Sequence, residues 1–174
     1  WRFELIIILI VFTKVKKKMK KIIVTGGAGF IWSNLVAYLL KKKYFVINID
    51  NLSYSANPYN LRNFKKHKNY IFFKTNINNK KKIIKILKKF NPDGIFNLAA
   101  ESHVDRSIDN PEQFIKSNIL GVYNLLQSIL IYKKKNKKKI KFVHISTDEV
   151  YGDVIKGRSS EKYPYSPSSP YSAS

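Results

Sequence analysis

The chain alternates between short apolar runs and longer segments with helical periodicity. Runs rich in β-branched and aromatic residues, bounded by polar turns, indicate strands. Because these runs are apolar throughout rather than alternating, they predict a sheet that is covered on both faces. The predicted strands are 21–25, 45–50, 70–77, 94–100 and 140–146.

Helical segments lie between the predicted strands. Residues 34–42 have helical periodicity and end in Lys, which suits the negative end of a helix dipole, and residues 79–90 form an amphipathic segment that stops at Asn91-Pro92. Residues 58–64 predict a short helix, and 111–135 predict one long helix with Pro111 in its first turn. This alternation predicts an α/β fold, a Rossmann-type doubly wound parallel sheet. After Gly152 the chain is rich in Pro and Ser, which predicts a loop or linker.

Residues 1–18 differ from the rest of the chain. Their apolar run, Leu5 to Phe12, is shorter than the roughly 20 residues that a membrane-spanning helix needs. The Lys cluster follows this run, whereas a signal peptide has its positive charges first. Met19 is the only Met, so we expect residues 1–18 to lie outside the native protein, with a membrane-surface anchor as the alternative. Residues 19–174 are then one Rossmann-type domain, which we expect to be incomplete at its C-terminus.

The net charge of +22 comes almost entirely from Lys, since Arg occurs only at positions 2, 62, 106 and 158. Specific nucleic-acid readers depend on Arg, so we expect no specific nucleic-acid partner. We also expect no membrane partner. A polyanion binder driven by Lys is kept as an alternative. The absence of Cys excludes disulfides and thiolate metal sites, and the three His are too far apart in sequence to suggest a metal site.

A glycine-rich segment, VTGGAGFIWSN, connects the first predicted strand to the first helix. Gly26 allows a tight turn, and Gly29 allows the backbone to approach a pyrophosphate at the helix N-terminus. Asp50 ends the second strand and can accept hydrogen bonds from an adenosine ribose, which favours NAD over NADP. Trp32 stands where the pattern has its third glycine. Overpacking there predicts weaker cofactor binding or a displaced first helix.

Two carboxylates, Asp148 and Glu149, follow the fifth predicted strand. Parallel α/β sheets bind ligands at this carboxyl edge, and Thr147 supplies a hydroxyl group beside the acids. Tyr171 is a candidate redox base, but its ordinary pKa of about 10 requires a nearby cation.

Four motifs together carry a family resemblance: TGGAGFI, LAAESHVDRS, STDEVYGD and SPYSAS. They closely resemble the nucleotide-sugar 4,6-dehydratases of the extended short-chain dehydrogenase/reductase superfamily. Sugar epimerases of that superfamily usually have Ser and small residues where this chain has Thr147, Asp148 and Glu149, so the acid pair favours a dehydratase.

The resemblance implies an NAD-dependent lyase that removes water from a nucleotide-sugar, with dTDP-glucose favoured. Tyr171 would take the C4 hydroxyl proton while hydride passes to NAD. Glu149 would remove the C5 proton, and Asp148 would protonate the departing C6 hydroxyl. Thr147 and Ser102 would contact the sugar.

The same resemblance implies a set of cofactor contacts from the glycine loop to the nicotinamide. Asn76 replaces an Asp of the family, which changes one hydrogen bond at the adenine. The implied NAD-binding residues are Gly26, Gly29, Phe30, Ile31, Asp50, Asn51, Leu52, Ser53, Asn76, Ile77, Leu98, Ala99, Ala100, Ser102, Ser117 and Tyr171.

The family's Tyr-x-x-x-Lys pattern places its Lys at position 175, beyond the 174 residues of this sequence. We therefore expect little or no dehydratase activity from this chain alone. The resemblance also implies a cytoplasmic protein and a homodimer at full length, although not for this chain by itself. Another nucleotide-sugar dehydratase or an epimerase, and a decayed NAD-binding module without catalysis, are kept as alternatives.

Overall fold

The computed structural model of the chain describes residues 21–154 and 157–174, so the predicted leader, 1–18, lies outside the described residues. Five strands form one parallel sheet with the order β3-β2-β1-β4-β5. The α/β doubly wound architecture predicted from the sequence is confirmed. The strands are β1 (Lys21–Thr25), β2 (Phe45–Asp50), β3 (Tyr70–Lys74), β4 (Gly94–Asn97) and β5 (Lys141–His144).

Helices follow the strands and return the chain to the other end of the sheet. A π-helical segment, Ile115–Leu120, separates two of them, and 3-10 helices occur at Pro58–Leu61 and Asp148–Tyr151. The α-helices are α1 (Phe30–Lys41), α2 (Lys80–Phe90), α3 (Val104–Asp109), α4 (Pro111–Phe114), α5 (Gly121–Lys134) and α6 (Pro170–Ala173).

Each face of the sheet has its own hydrophobic cluster. On one face, α1 packs through Leu35 and Leu39 against Ile22 and Val24 of β1. On the other face, α2 and α5 pack against Ile23 and neighbouring strand residues. Because adjacent strand residues point to opposite faces, β1 supplies side chains to both clusters, and this explains its continuous apolar sequence.

Several predicted boundaries were wrong. Helix α1 begins at Phe30 rather than residue 34, because Ser33 N–H already donates to the Gly29 carbonyl within the glycine loop. The strands predicted at 70–77 and 94–100 end at Lys74 and Asn97. The chain then leaves the ladder to form the edge of the sheet, although residues 98–100 stay apolar.

The predicted long helix, 111–135, is divided by the π-helical segment, and α3 was not predicted. The prediction of a loop after Gly152 was wrong for α6. There Ser169 and Ser172 form a reciprocal capping box, and Pro170 occupies the first turn. Four residues are too few for a periodic pattern, so capping and tertiary contact decide their conformation.

A buried hydroxyl group joins the ends of β1 and β4. Thr25 Oγ1 donates to Asn97 Oδ1 at 2.7 Å and accepts from the Leu98 and Ala99 N–H groups at 3.1 and 3.3 Å. The Asn97 amide nitrogen in turn lies 2.9 Å from His144 Nδ1 at the end of β5. Three strands are therefore connected by one polar chain where the sheet meets its ligand-binding edge.

Replacing Thr25 by Val should lower the free energy of unfolding by about 2–4 kcal/mol, because it leaves buried polar groups without a partner. Thr25→Ser keeps the hydroxyl group and should cost only about 1 kcal/mol for the lost methyl group. Urea denaturation followed by circular dichroism measures both. Equal losses in the two variants would show that the hydroxyl group contributes nothing.

Candidate functional site

An open cleft of about 280 Å³ lies at the carboxyl ends of β1, β2 and β4. This is the switch point of the sheet, where the chain moves from the β2 side of β1 to the β4 side. Loops leave this point in opposite directions and create a crevice between them.

Gly26 holds the loop after β1 against the end of β4. Its φ of +75° is rare for other residues, and a Cβ atom there would lie 2.8 Å from Ala99 N and Leu98 O. Gly29 differs, because its backbone is extended (φ −66°) and an added Cβ would meet its nearest protein atoms at 3.4 Å. The fold requires glycine at position 26, whereas at position 29 glycine leaves space beside the cleft.

The Asp50 carboxylate connects the two loops that border the cleft. One oxygen accepts from Ala28 N–H at 2.9 Å and the other from Leu52 N–H at 2.8 Å. Leu52 adopts a positive φ of 58°, which turns its N–H group back toward the carboxylate. A carboxylate has about four acceptor positions, so two remain after these bonds.

Most of the predicted cofactor residues line this cleft, and two do not. Leu52 and Tyr171 are absent from its wall, whereas Glu101 and Trp32 belong to it although they were not predicted as cofactor residues. The predicted residues that line it are Gly26, Gly29, Phe30, Ile31, Asp50, Asn51, Ser53, Asn76, Ile77, Leu98, Ala99, Ala100, Ser102 and Ser117. The additional lining residues are Trp32, Ile49, Ser55, Ala56, Thr75 and Glu101.

Trp32 lies in the first turn of α1. Its ring is partly buried, packs against the α1-side cluster and also borders the cleft. Its Cδ1 atom is one of the two closest neighbours of the Cβ position at Gly29. Helix α1 still begins directly at the glycine loop. The effect of the indole on cofactor affinity stays a prediction.

The π-helical segment supplies two contacts to the cleft. Ser117 lines it, and the Asn118 amide both accepts from Glu101 N–H and donates to Glu101 O, at 2.8 and 2.9 Å. Asn118 Nδ2 also lies 2.9 Å from Ser174 Oγ. A single side chain therefore holds the loop after β4 and the end of α6 together.

The acid pair forms part of the 3-10 helix Asp148–Tyr151, which follows β5 at the same edge of the sheet. Thr147 caps this helix, since its hydroxyl group accepts from Glu149 N–H at 3.3 Å. Desolvation, followed by the neighbouring charge of Asp148, raises the pKa of Glu149. Thr147, Asp148 and Glu149 do not line the cofactor cleft.

Tyr171 belongs to α6, which contacts the 3-10 helix that carries the acids. Its backbone N–H donates to Ser107 Oγ at 3.1 Å, and its ring meets Phe114 edge-on at 6.3 Å. The structure thus brings Tyr171 into the neighbourhood of the acid pair, on elements that the sequence pattern did not predict as helices.

A second cleft, lined by Tyr54, Glu101 and Arg106 among others, adjoins the first. The Arg106 guanidinium lies 3.9 Å from the centre of the Tyr54 ring. Burial raises the pKa of Glu101, opposed by its hydrogen bond with Tyr54 and by the charge of Arg106. Tyr54 therefore links the loop after β2 to the loop after β4.

No group of His, Cys, Asp and Glu suited to a metal ion occurs among residues 21–154 and 157–174. Within the same residues, one helical stretch, Pro111–Lys134, is long and apolar enough to cross a membrane by length and composition. That is weak support for a membrane span, because core residues of this stretch such as Leu125 and Ile129 pack on the sheet.

Comparison with known proteins gives consistent results. The family model for GDP-mannose 4,6 dehydratase matches residues 23–174. The dTDP-glucose 4,6-dehydratases of Haemophilus influenzae and Neisseria meningitidis are 46% and 41% identical to the chain, covering 90% of it in both cases. The chain spans about half the length of these relatives, 48% and 46%.

Solved structures show the same partial coverage. The dTDP-glucose 4,6-dehydratase of Bacillus anthracis, in complex with NAD, superposes with a TM-score of 0.75 at 41% identity over 88% of this chain and 46% of that one. DesIV from Streptomyces venezuelae, a dTDP-glucose 4,6-dehydratase with NAD bound, gives a TM-score of 0.80 at 37% identity over 88% of this chain and 47% of that one. The UDP-Glc/GlcNAc 4-epimerase of Campylobacter jejuni gives a TM-score of 0.78 at 26% identity over 88% of this chain and 45% of that one. With its glycine-loop cleft and a family match that covers most of its length, the chain belongs to the GDP-mannose 4,6 dehydratase family.

Proposed function

We propose that the chain is the NAD-binding part of a nucleotide-sugar 4,6-dehydratase that acts on dTDP-glucose and releases water and the 4-keto-6-deoxy sugar. The observation that carries this proposal is that a dinucleotide-type cleft shares one edge of the sheet with the acid pair, whose 3-10 helix contacts the helix of Tyr171. Its nearby relatives carry the name of that activity. Because the chain spans about half of them, the activity is proposed for the whole protein.

NAD fits the residues that line the cleft. The N-terminal N–H groups of α1 and the space at Gly29 suit a pyrophosphate. The two acceptor positions left on Asp50 suit ribose hydroxyl groups, with Asn76 and Ile77 at the adenine end. Ser102 and Ser117 would hold the nicotinamide end. When bound, NAD would supply acceptance of hydride from C4 of the sugar and its return to C6 after water is lost, with the proton held by Glu149 returning to C5.

The remaining residues carry the proton transfers. Tyr171 would take the proton of the C4 hydroxyl group as that carbon is oxidised, while Thr147 and Ser102 hold the sugar. The C4 ketone acidifies the C5 hydrogen, which Glu149 would remove. Asp148 would protonate the C6 hydroxyl group as it leaves. The raised pKa of Glu149 suits a base that must hold a proton temporarily.

An epimerase is the second candidate, because 4-epimerases share the fold at high TM-score. The adjacent acids Asp148 and Glu149 favour elimination, which needs both an acid and a base. A homodimer for the whole protein and a cytoplasmic location belong to the same proposal and rest on the family resemblance. The exposed apolar side chains Ile115, Ile119, Leu126 and Leu130 on the outer face of α4–α5 support the dimer.

Calorimetric titration of the full chain should show that NAD binds more tightly than NADP by at least about tenfold. The 2′-phosphate of NADP would approach the Asp50 carboxylate, and like charges in a partly dry cleft repel. The comparison at fixed salt also controls for general attraction of anions to a chain of net charge +22. Equal affinity, or tighter binding of the more highly charged NADP, would contradict a specific site.

Replacing Trp32 by Gly should strengthen NAD binding by about tenfold, because it removes the indole beside Gly29 and restores the third glycine of the loop. The free energy of unfolding should fall by about 1–3 kcal/mol, since a partly buried ring is lost. Tyr44→Gly, which removes another ring packed on the same cluster but outside the cleft, is the matched control and should leave NAD affinity unchanged. Weaker NAD binding in Trp32→Gly would show that the indole contributes to the site.

The reaction is tested on this chain extended by the C-terminal half of the Haemophilus influenzae relative. That chimera should convert dTDP-glucose, whereas the 174-residue chain should not. Asp148→Asn and Glu149→Gln should each lower turnover by at least about 100-fold, the usual contribution of general acid–base catalysis, with NAD affinity within about twofold. Epimerisation of the sugar without loss of water would favour the second candidate.

A further inference from the structure

The parallel sheet separates the charges of this chain into two edges. The C-terminus of every crossover helix lies at the amino edge, where the strands begin. There the sequence places Lys41–Lys43 at the end of α1, Lys88 and Lys89 in the last turn of α2, and Lys133–Lys135 at the end of α5. Lys65, Lys66 and Lys68 precede β3 at the same edge. These side chains are exposed; we call them, together with Lys137–Lys139, the basic edge.

Carboxylates are almost absent from the basic edge. Among the described residues, Asp93 is the acid at that edge, and it is already occupied by Lys138 at 2.8 Å and by Lys21 N–H. The other described acids, including Asp50, Glu101 and the pair Asp148–Glu149, follow strand ends or belong to the elements at the opposite, carboxyl edge. Positive charge is therefore concentrated at the edge where the strands begin, and most of the described carboxylates lie at the edge where the strands end.

Helix dipoles explain only part of this pattern. A cation in the last turn of a helix is favourable, which accounts for one or two Lys in each helix. It does not account for Lys137–Lys139, which lie in the segment between α5 and β5, or for Lys65 and Lys66 before β3. Like charges this close repel each other within a Debye length, so the surface gains free energy when an extended anion covers it.

The chemistry of the basic edge favours a lipid surface over nucleic acid. Its cations are Lys, and the exposed aromatic side chains of the described residues, such as Tyr54, Tyr59 and Tyr165, lie elsewhere. Sequence-reading and single-strand-binding sites use Arg forks and aromatic stacking, whereas an anionic bilayer attracts Lys as point charges.

In contrast to the sequence-based expectation of no membrane partner, we propose that the basic edge docks the protein on an anionic phospholipid surface, with the carboxyl-edge cleft facing the solvent. Each Lys near an anionic leaflet adds to the attraction, so the many Lys side chains of the basic edge act together. This role is independent of the proposed dehydratase reaction, because the two edges are at opposite ends of the strands. NAD should therefore bind equally well to the free and to the vesicle-bound chain.

The test is co-sedimentation of the full chain with vesicles of phosphatidylcholine containing about 30% phosphatidylglycerol at about 0.15 M salt. Lys133, Lys134 and Lys135 changed together to Gln should weaken binding by about 100-fold, since each Lys near such a surface contributes about fivefold. Changing Lys41, Lys42 and Lys43 together to Gln should weaken binding to the vesicles to a similar extent. The control variant changes Lys80, Lys81 and Lys162 to Gln. It has the same net charge as the test variants, but its substitutions lie at the carboxyl edge. Its affinity for the vesicles should stay within about threefold of that of the unchanged chain.

Circular dichroism verifies that each variant is folded. The proposal is overturned if the chain does not bind these vesicles, if it binds pure phosphatidylcholine equally well, or if the control weakens binding as much as the two test variants. It is also overturned if double-stranded RNA at equal phosphate concentration displaces the chain from vesicles and depends on the same Lys residues. Unchanged NAD affinity in every variant keeps this result separate from the proposed enzymatic function.

Discussion

The carboxylate of Asp50 is the constraint on which the candidate site depends. It ends β2 and accepts hydrogen bonds from both loops that border the cleft, at Ala28 and at Leu52. A buried charge is tolerated only when it is well hydrogen-bonded, and here the bonds also fix the distance between the loops. The same group leaves acceptor positions for a ligand, so one side chain shapes the cleft and is the proposed source of its selectivity for NAD.

The common direction of the strands determines at which edge of the sheet the other functional side chains lie. A parallel sheet brings all strand ends to one edge and all helix ends to the other. The glycine loop, the acid pair and Tyr171 consequently meet at the carboxyl edge although they are far apart in sequence. The Lys-rich helix ends gather at the amino edge for the same reason. The proposed ligand chemistry and the proposed surface attachment are thus separated by the length of the strands.

Much of this arrangement can be predicted from the sequence, because the strands and the glycine loop are strong local signals. Strands β1 and β2 have the predicted boundaries, and most of the predicted cofactor residues line one cleft. Family resemblance added Ser117, which no local pattern indicates. It is brought to the cleft by the π-helical segment, which depends on packing: Gly121 fits closely against Ile77, and Asn78 Nδ2 donates to Lys116 O.

Short elements and tertiary contacts could not be predicted in this way. Helix α6 and the 3-10 helix at Asp148–Tyr151 depend on Ser and Thr caps, which resemble loop sequence. Glu101 was missed because its place in the cleft depends on a bond between its backbone and Asn118, distant in sequence. Leu52 stays a predicted cofactor residue; in the structure its N–H group donates to Asp50, and it does not line the cleft.

Amide hydrogen exchange of the full chain with and without NAD tests the central claim most directly, because it locates the binding of the dinucleotide along the sequence. The account predicts slower exchange in the glycine loop and the first turn of α1, at 26–33, and in the loop at 51–56. Exchange at the basic edge, 133–139, should not change. Protection confined to the basic edge, or none at the glycine loop, would contradict a cofactor site at the carboxyl edge.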